Sequence, residues 1–156
     1  SARRPEVVHY ECYNPALPPD RMQHLAAVLA WARGRDDARD VSLIGLDEGA
    51  ALALLARPVL ENVARTAVDL AGFDYGDGSE RPPVGLDLPG VLQFGGLPAA
   101  AALAAPHPLW ISRPAPGFHR VWPQRAFELS GVSHVLTIKD DAFNAAALAK
   151  WIVDGE

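Results

Sequence analysis

The sequence predicts an α/β protein, a parallel sheet with helices on both faces, and three features predict it. Residues 41–55 pass from a short β-branched and apolar run, through Gly45-Leu46-Asp47-Glu48-Gly49, straight into an Ala/Leu-rich helical pattern. A strand, a tight turn and a helix therefore follow one another without a spacer. The second half of the chain repeats this alternation, and strands that alternate with helices pair in parallel through right-handed crossovers. The 156 residues, 49% apolar and 21% charged, fit one ordinary globular domain with a substantial core.

In chain order, Val7-Val8-His9-Tyr10 is a candidate short strand, ended by the turn-forming Asn14-Pro15 and Pro18-Pro19. Asp20 then offers a helix N-cap, and Met22, Leu25, Val28, Leu29 and Ala32 recur at helical spacing before Gly34. A charged loop, 35–40, leads to the strand 41–44 and to a helix ending near Arg57, before Pro58. Residues 64–73 read as a second buried strand containing Val68 and Leu70. The longest irregular segment, 74–96, is rich in Gly and Pro and reads as a lid-like insertion. An alanine-rich helix over 97–105 precedes the strand 108–112, and a Pro/Gly loop, 113–119, precedes a helix over 122–130. Residues 133–138 form the last strand, and Phe143, Ala147, Leu148, Trp151 and Ile152 give the final helix an apolar face. Trp110, Trp122 and Trp151 fall within these patterns and are expected in the core. No internal repeat or second domain interrupts residues 1–156.

Composition narrows the function. A formal net charge of −5 with scattered arginines leaves no basic footprint, so nucleic acid is not an expected partner. No apolar run approaches the roughly 20 residues of a spanning helix, so no membrane is expected either. The single cysteine, Cys12, allows neither an internal disulfide nor a multi-cysteine zinc site and is expected to pack half-buried. Residues 1–5 lack the apolar core of a signal peptide. The acidic run over 74–80 lacks calcium-loop spacing and reads as turn chemistry, so neither a metal nor a cofactor is expected.

The chemistry-bearing stretch is Gly45-x-Asp47-x-Gly49. Where Gly-x-Ser-x-Gly occurs between a strand and a helix, the glycines let the two elements approach, and the central side chain stands up as a nucleophile at the strand's C-terminal end. Here that position holds Asp47. Glu48 follows it, at the site whose backbone N–H serves as an oxyanion donor, while its side chain suits a helix's first turn. Ligands of parallel sheets gather at the C-terminal ends of the strands, which sorts the histidines by position. His107 and His134 enter their strands from the other end, His24 lies on a helix, and His119 leaves the correct edge, as do Asp140 and Asp141. The candidate catalytic set is therefore Asp47, His119 and Asp140.

The order of elbow strand, elbow helix, strand and long insertion, followed by Leu103-Ala104-Ala105-Pro106-His107-Pro108-Leu109-Trp110-Ile111, resembles the C-terminal half of an α/β-hydrolase. It looks most like the acetyl-xylan-esterase and dienelactone-hydrolase-like branch, over roughly residues 18–153. The resemblance implies the fifth to eighth strands of that sheet and an esterase ancestry. It also implies a serine at the elbow, an acid after the penultimate strand and a histidine after the last. This sequence departs at all three. Asp47 stands at the elbow, residues 113–118 contain no acid, and residues 139–142 contain no histidine. The expected function is thus a catalytically degenerate hydrolase-like module kept for structure or binding, with an ester hydrolase using Asp47 as the alternative. The resemblance also implies that the elbow strand lacks a neighbour on one side, so an upstream segment of the same protein or a second copy is the expected partner along that edge, ahead of a fold-back of residues 7–10, whose four residues would make few ladder bonds.

Overall fold

The computed structural model describes residues 17–38, 40–76 and 82–154. Its regular elements are α1 (Leu17–Arg33), β1 (Ser42–Leu46), α2 (Glu48–Ala56), β2 (Arg65–Asp69), α3 (Gly96–Leu103), β3 (Leu109–Ser112), α4 (Val121–Leu129), β4 (Leu136–Lys139) and α5 (Ala145–Asp154). The four strands form one all-parallel sheet in the order β1-β2-β3-β4. The predicted α/β class is therefore present. The candidate strand at Val7–Tyr10, Cys12, and residues 77–80 of the acidic run lie outside the described residues.

Alternation along the strands divides the core into two layers. Val68 of β2 and Leu109 and Ile111 of β3 face α2, α3 and α4, and pack with Ala50, Leu54, Leu97, Ala101 and Phe127. Ala67 and Trp110 face the other way and meet Trp151 of α5, with Phe143, Leu148 and Ile152 around them. Helices thus cover both faces, three on one and α5 on the other. α1 joins the three-helix side, where Leu29 clusters with Ala56, Leu60 and Val63 and with Met22, Leu25, Val41 and Leu43.

Most elements start and stop within a few residues of the sequence reading. α1 is longer: Pro18 and Pro19 lie inside its first turn, where a missing N–H costs nothing, so Asp20 is a first-turn acid and not the cap. The last strand is shorter, because Ser133–Val135 form a 3-10 turn that feeds β4. Trp122 departs from the expected core placement and is 48% exposed. Its ring lies against Gly95 at the start of α3, so close that a Cβ there would stand 2.6 Å from Trp122 Cζ3. Gly95 also has φ 86°, so both the backbone and the neighbouring ring require glycine at that position.

The described parts of the irregular segment 74–96 are tied into the domain. Tyr75 and Leu86 are buried in the larger core layer, and the Tyr75 hydroxyl donates to the Leu86 carbonyl at 2.9 Å. Burial, with Asp87 and Asp74 adding negative charge nearby, pushes the Tyr75 phenol up to about 12. The folded state therefore holds this proton more tightly than the unfolded chain, whose tyrosines titrate near 10. Stability contributed by the neutral phenol is complete below about pH 10 and is lost as pH rises toward 12. Two units correspond to a loss of about 2–3 kcal/mol. Denaturant titrations between pH 9 and 12 should show this slope in the parent and a flatter one in Tyr75→Phe. A parent profile as flat as the variant's would contradict the burial of the phenol.

Candidate functional site

The C-terminal ends of β1, β2 and β3 share an unusual backbone. Asp47 follows β1 with φ 50°, Ala71 follows β2 with φ 50°, and Arg113 follows β3 with φ 44°. Side chains other than glycine rarely adopt this region, at a cost of order 1–3 kcal/mol each, and such residues cluster at functional sites. Their grouping on one edge coincides with the edge where parallel sheets hold ligands.

The turn at Asp47 is built by close packing. A Cβ on Gly45 would lie 2.7 Å from Ala50 Cα, 2.8 Å from the Gly49 carbonyl oxygen and 3.0 Å from Ala53 Cβ. Strand β1 and helix α2 are therefore pressed together, and the chain turns between them in one residue. Asp47 takes φ 50° and ψ −130°, and its carbonyl accepts from the Ala50 N–H at 3.0 Å. The two elbow glycines are not equivalent. A Cβ on Gly49 would meet nothing within 4 Å, so the close approach expected of both glycines falls on Gly45 alone.

Along this edge of the sheet Asp69, Asp140 and Glu48 each face an arginine. Asp69, at the end of β2 and 6% exposed, accepts two bonds from Arg113, Nε to Oδ1 at 2.8 Å and Nη2 to Oδ2 at 2.9 Å. The Ala71 N–H adds a third at 3.1 Å. The two bonds from Arg113 to Asp69, together with the negative charges of Asp69 and Asp47, raise the Arg113 guanidinium above its ordinary value. Asp140, just past β4, pairs with Arg120. Glu48 Oε2 lies 3.6 Å from Arg21 Nη1 of α1, a guanidinium that also reaches the Gly85 carbonyl. The loops themselves are joined by backbone bonds, Gly72 N–H to Arg113 O and Arg113 N–H to Lys139 O, both 2.8 Å. The Ser112 hydroxyl donates to the Asp141 carbonyl at 2.9 Å.

His119 leaves the expected edge, between β3 and α4, and its ring stacks on Trp122 with centroids 5.7 Å apart and planes 17° from parallel. Asp47 and Asp140 stand on the same edge but at opposite sides of the sheet, because β1 and β4 are its outer strands. Three strand spacings separate those strands, about 14 Å. Among the described residues no hydrogen bond connects Asp47, His119 and Asp140. His107 precedes β3 and His134 lies in the turn before β4, on the opposite edge as the sequence implies. The sequence reading missed Asp69 and Arg113. The available signal was an acid closing the buried run Thr66-Ala67-Val68 and an arginine directly after β3, two charges the topology puts side by side.

No family model, curated protein or solved structure matches this chain. Among the described residues no helix is long and apolar enough to cross a membrane.

Proposed function

We propose that this chain is a catalytically degenerate α/β-hydrolase-like module, retained for structure or binding. The observation that supports it best is the pairing of the acids at the strand ends. An acyl-transfer site couples its acid to an imidazole, which in turn activates the nucleophile. Here Asp69 is bound by Arg113 and Asp140 by Arg120, while His119 lies flat on Trp122. A guanidinium stays protonated throughout the working pH range, so it fixes a carboxylate in place but cannot relay a proton.

The alternative, an ester hydrolase with Asp47 as nucleophile, draws on one feature. The positive φ of Asp47, directly before α2, is the strained turn that presents a nucleophile, with the Glu48 N–H behind it. Asn tolerates positive φ, so Asp47→Asn preserves the fold while removing a nucleophilic carboxylate. Under the degenerate reading, parent and variant hydrolyse short-chain aryl esters equally, at the level of a buffer blank. A drop in the variant on the order of 10⁴-fold from measurable parent activity would replace that reading with the hydrolase.

A further inference from the structure

The guanidinium of Arg113 is gripped along one edge. Asp69 takes its Nε and Nη2, and the Ala71 N–H holds Asp69 in turn. The edge carrying Nη1 stays outside this pair. The Asp69 side chain is 8% exposed and that of Arg113 44%, so a buried acid anchors a cation that solvent still reaches.

The register places a second charge beside it. Leu46, Asp69 and Ser112 stand in one row across β1, β2 and β3, so Asp47 and Arg113 are the next residues beyond that row on either side of Asp69. By reaching back to Asp69, the Arg113 side chain carries its charge over the end of β2. Asp47 then lies one strand spacing further on, about 4.8 Å. Its charge acts on the guanidinium across this gap. Asp47 is exposed and makes no side-chain cap bond to α2. Both residues also sit on strained backbone, with φ 50° and 44°, and strain of this kind gathers at ligand clamps.

Charge decides what such a place can hold. Asp69 and Arg113 cancel each other, Glu48 faces Arg21 and Asp140 faces Arg120, which leaves the Asp47 carboxylate as the net charge of the trio. A simple anion on the outer edge of Arg113 is repelled by Asp47, and a simple cation on Asp47 is repelled by Arg113. A metal ion fits poorly, since no group of three His, Cys, Asp or Glu side chains converges among the described residues. A molecule that carries both charges meets both partners.

We propose that the ends of β1 and β3 form a site for a small zwitterion of amino-acid size, its carboxylate accepting from Arg113 Nη1 and its ammonium donating to Asp47. This ligand class rests on the reading above that the module is kept for binding. Because Asp69 already fixes the guanidinium, little freedom is lost when the ligand arrives.

Glycine and β-alanine are the probes, with acetate and methylammonium as single-charge controls. Each is titrated into the isotope-labelled full chain while NMR follows the amides of Asp47, Glu48, Ala71, Gly72 and Arg113. At least one zwitterion should saturate these shifts with a Kd about tenfold or more below both controls, the factor a second charged hydrogen bond supplies. Asp47→Asn, which tolerates the positive φ, should weaken that zwitterion to about the level of acetate and at the same time tighten acetate. A purely structural role for Asp47 would not move the two ligands in opposite directions. Arg113→Lys keeps a charge opposite Asp69 but loses the fork, so zwitterion and acetate should weaken together. Zwitterions that bind no tighter than both controls, or acetate binding indifferent to Asp47→Asn, would overturn the site. The ester assay is separate. Ester turnover lost in Asp47→Asn would remove the degenerate reading whether or not glycine binds, whereas no turnover and no zwitterion binding would leave a degenerate module with a structural role alone.

Discussion

Gly45→Val is expected to abolish folding, while Gly49→Ala leaves the thermal midpoint unchanged or slightly raised. Both residues belong to one five-residue motif, yet their surroundings differ completely. A side chain at 45 would drive its Cβ into Ala50 Cα at 2.7 Å and the Gly49 oxygen at 2.8 Å, which are backbone atoms of the helix that follows. Neither can move without separating α2 from the sheet, and α2 carries Ala50, Ala51, Ala53, Leu54 and Ala56 of the core. Overpacking a core by a methyl group costs about 1–3 kcal/mol, so Gly45→Ala should lie near the top of that range. The valine should exceed about 4 kcal/mol, a large fraction of a domain's total stability. At 49 the new Cβ meets open space, and alanine is the better helix former by up to about 1 kcal/mol. Chemical denaturation of the three variants would check this. Equal losses at 45 and 49 would mean that the turn is not packed in this way.

The second large effect is expected at Arg57. This arginine is 2% exposed and sits where α2 ends, its Nη1 donating to the Leu60 carbonyl at 2.8 Å and its Nη2 to the Val63 carbonyl at 3.2 Å. Its Nε has no partner among the described residues, and burial lowers its pKa. A cation at a helix C-terminus is favoured by the macrodipole, and here it also holds the chain leading from α2 into β2. Arg57→Met keeps much of the volume but leaves two carbonyls without donors, at roughly 1–3 kcal/mol for each group left unsatisfied. A loss of about 3 kcal/mol is therefore expected, and Arg57→Ala should be worse because a cavity is added. A second readout separates charge from packing. Burial first, and then the Arg57 charge, holds the His107 imidazole below its ordinary value. In Arg57→Met the His107 titration, followed by NMR, should move upward. An unchanged midpoint and an unchanged His107 would together contradict this role.

Local pattern in the sequence determined the alternation of strands and helices, the parallel sheet, the turn at Asp47, and the edges to which His107, His119 and His134 belong. These features are legible because periodicity and Gly/Pro placement act over a few residues, and because every strand of a parallel sheet points the same way. Tertiary structure decided the rest. The strand order put β1 on the outside of the described sheet and set Asp47 and Asp140 on its two flanks. Helix packing made Gly45 indispensable and left Gly49 in open space, although the two look alike in the motif. It also left Trp122 half out of the core, resting on Gly95. Above all, the ion pair between Asp69 and Arg113 joins residues 44 positions apart. No local rule pairs two charges at that separation, because the partner of a buried carboxylate is chosen by which strand ends become neighbours.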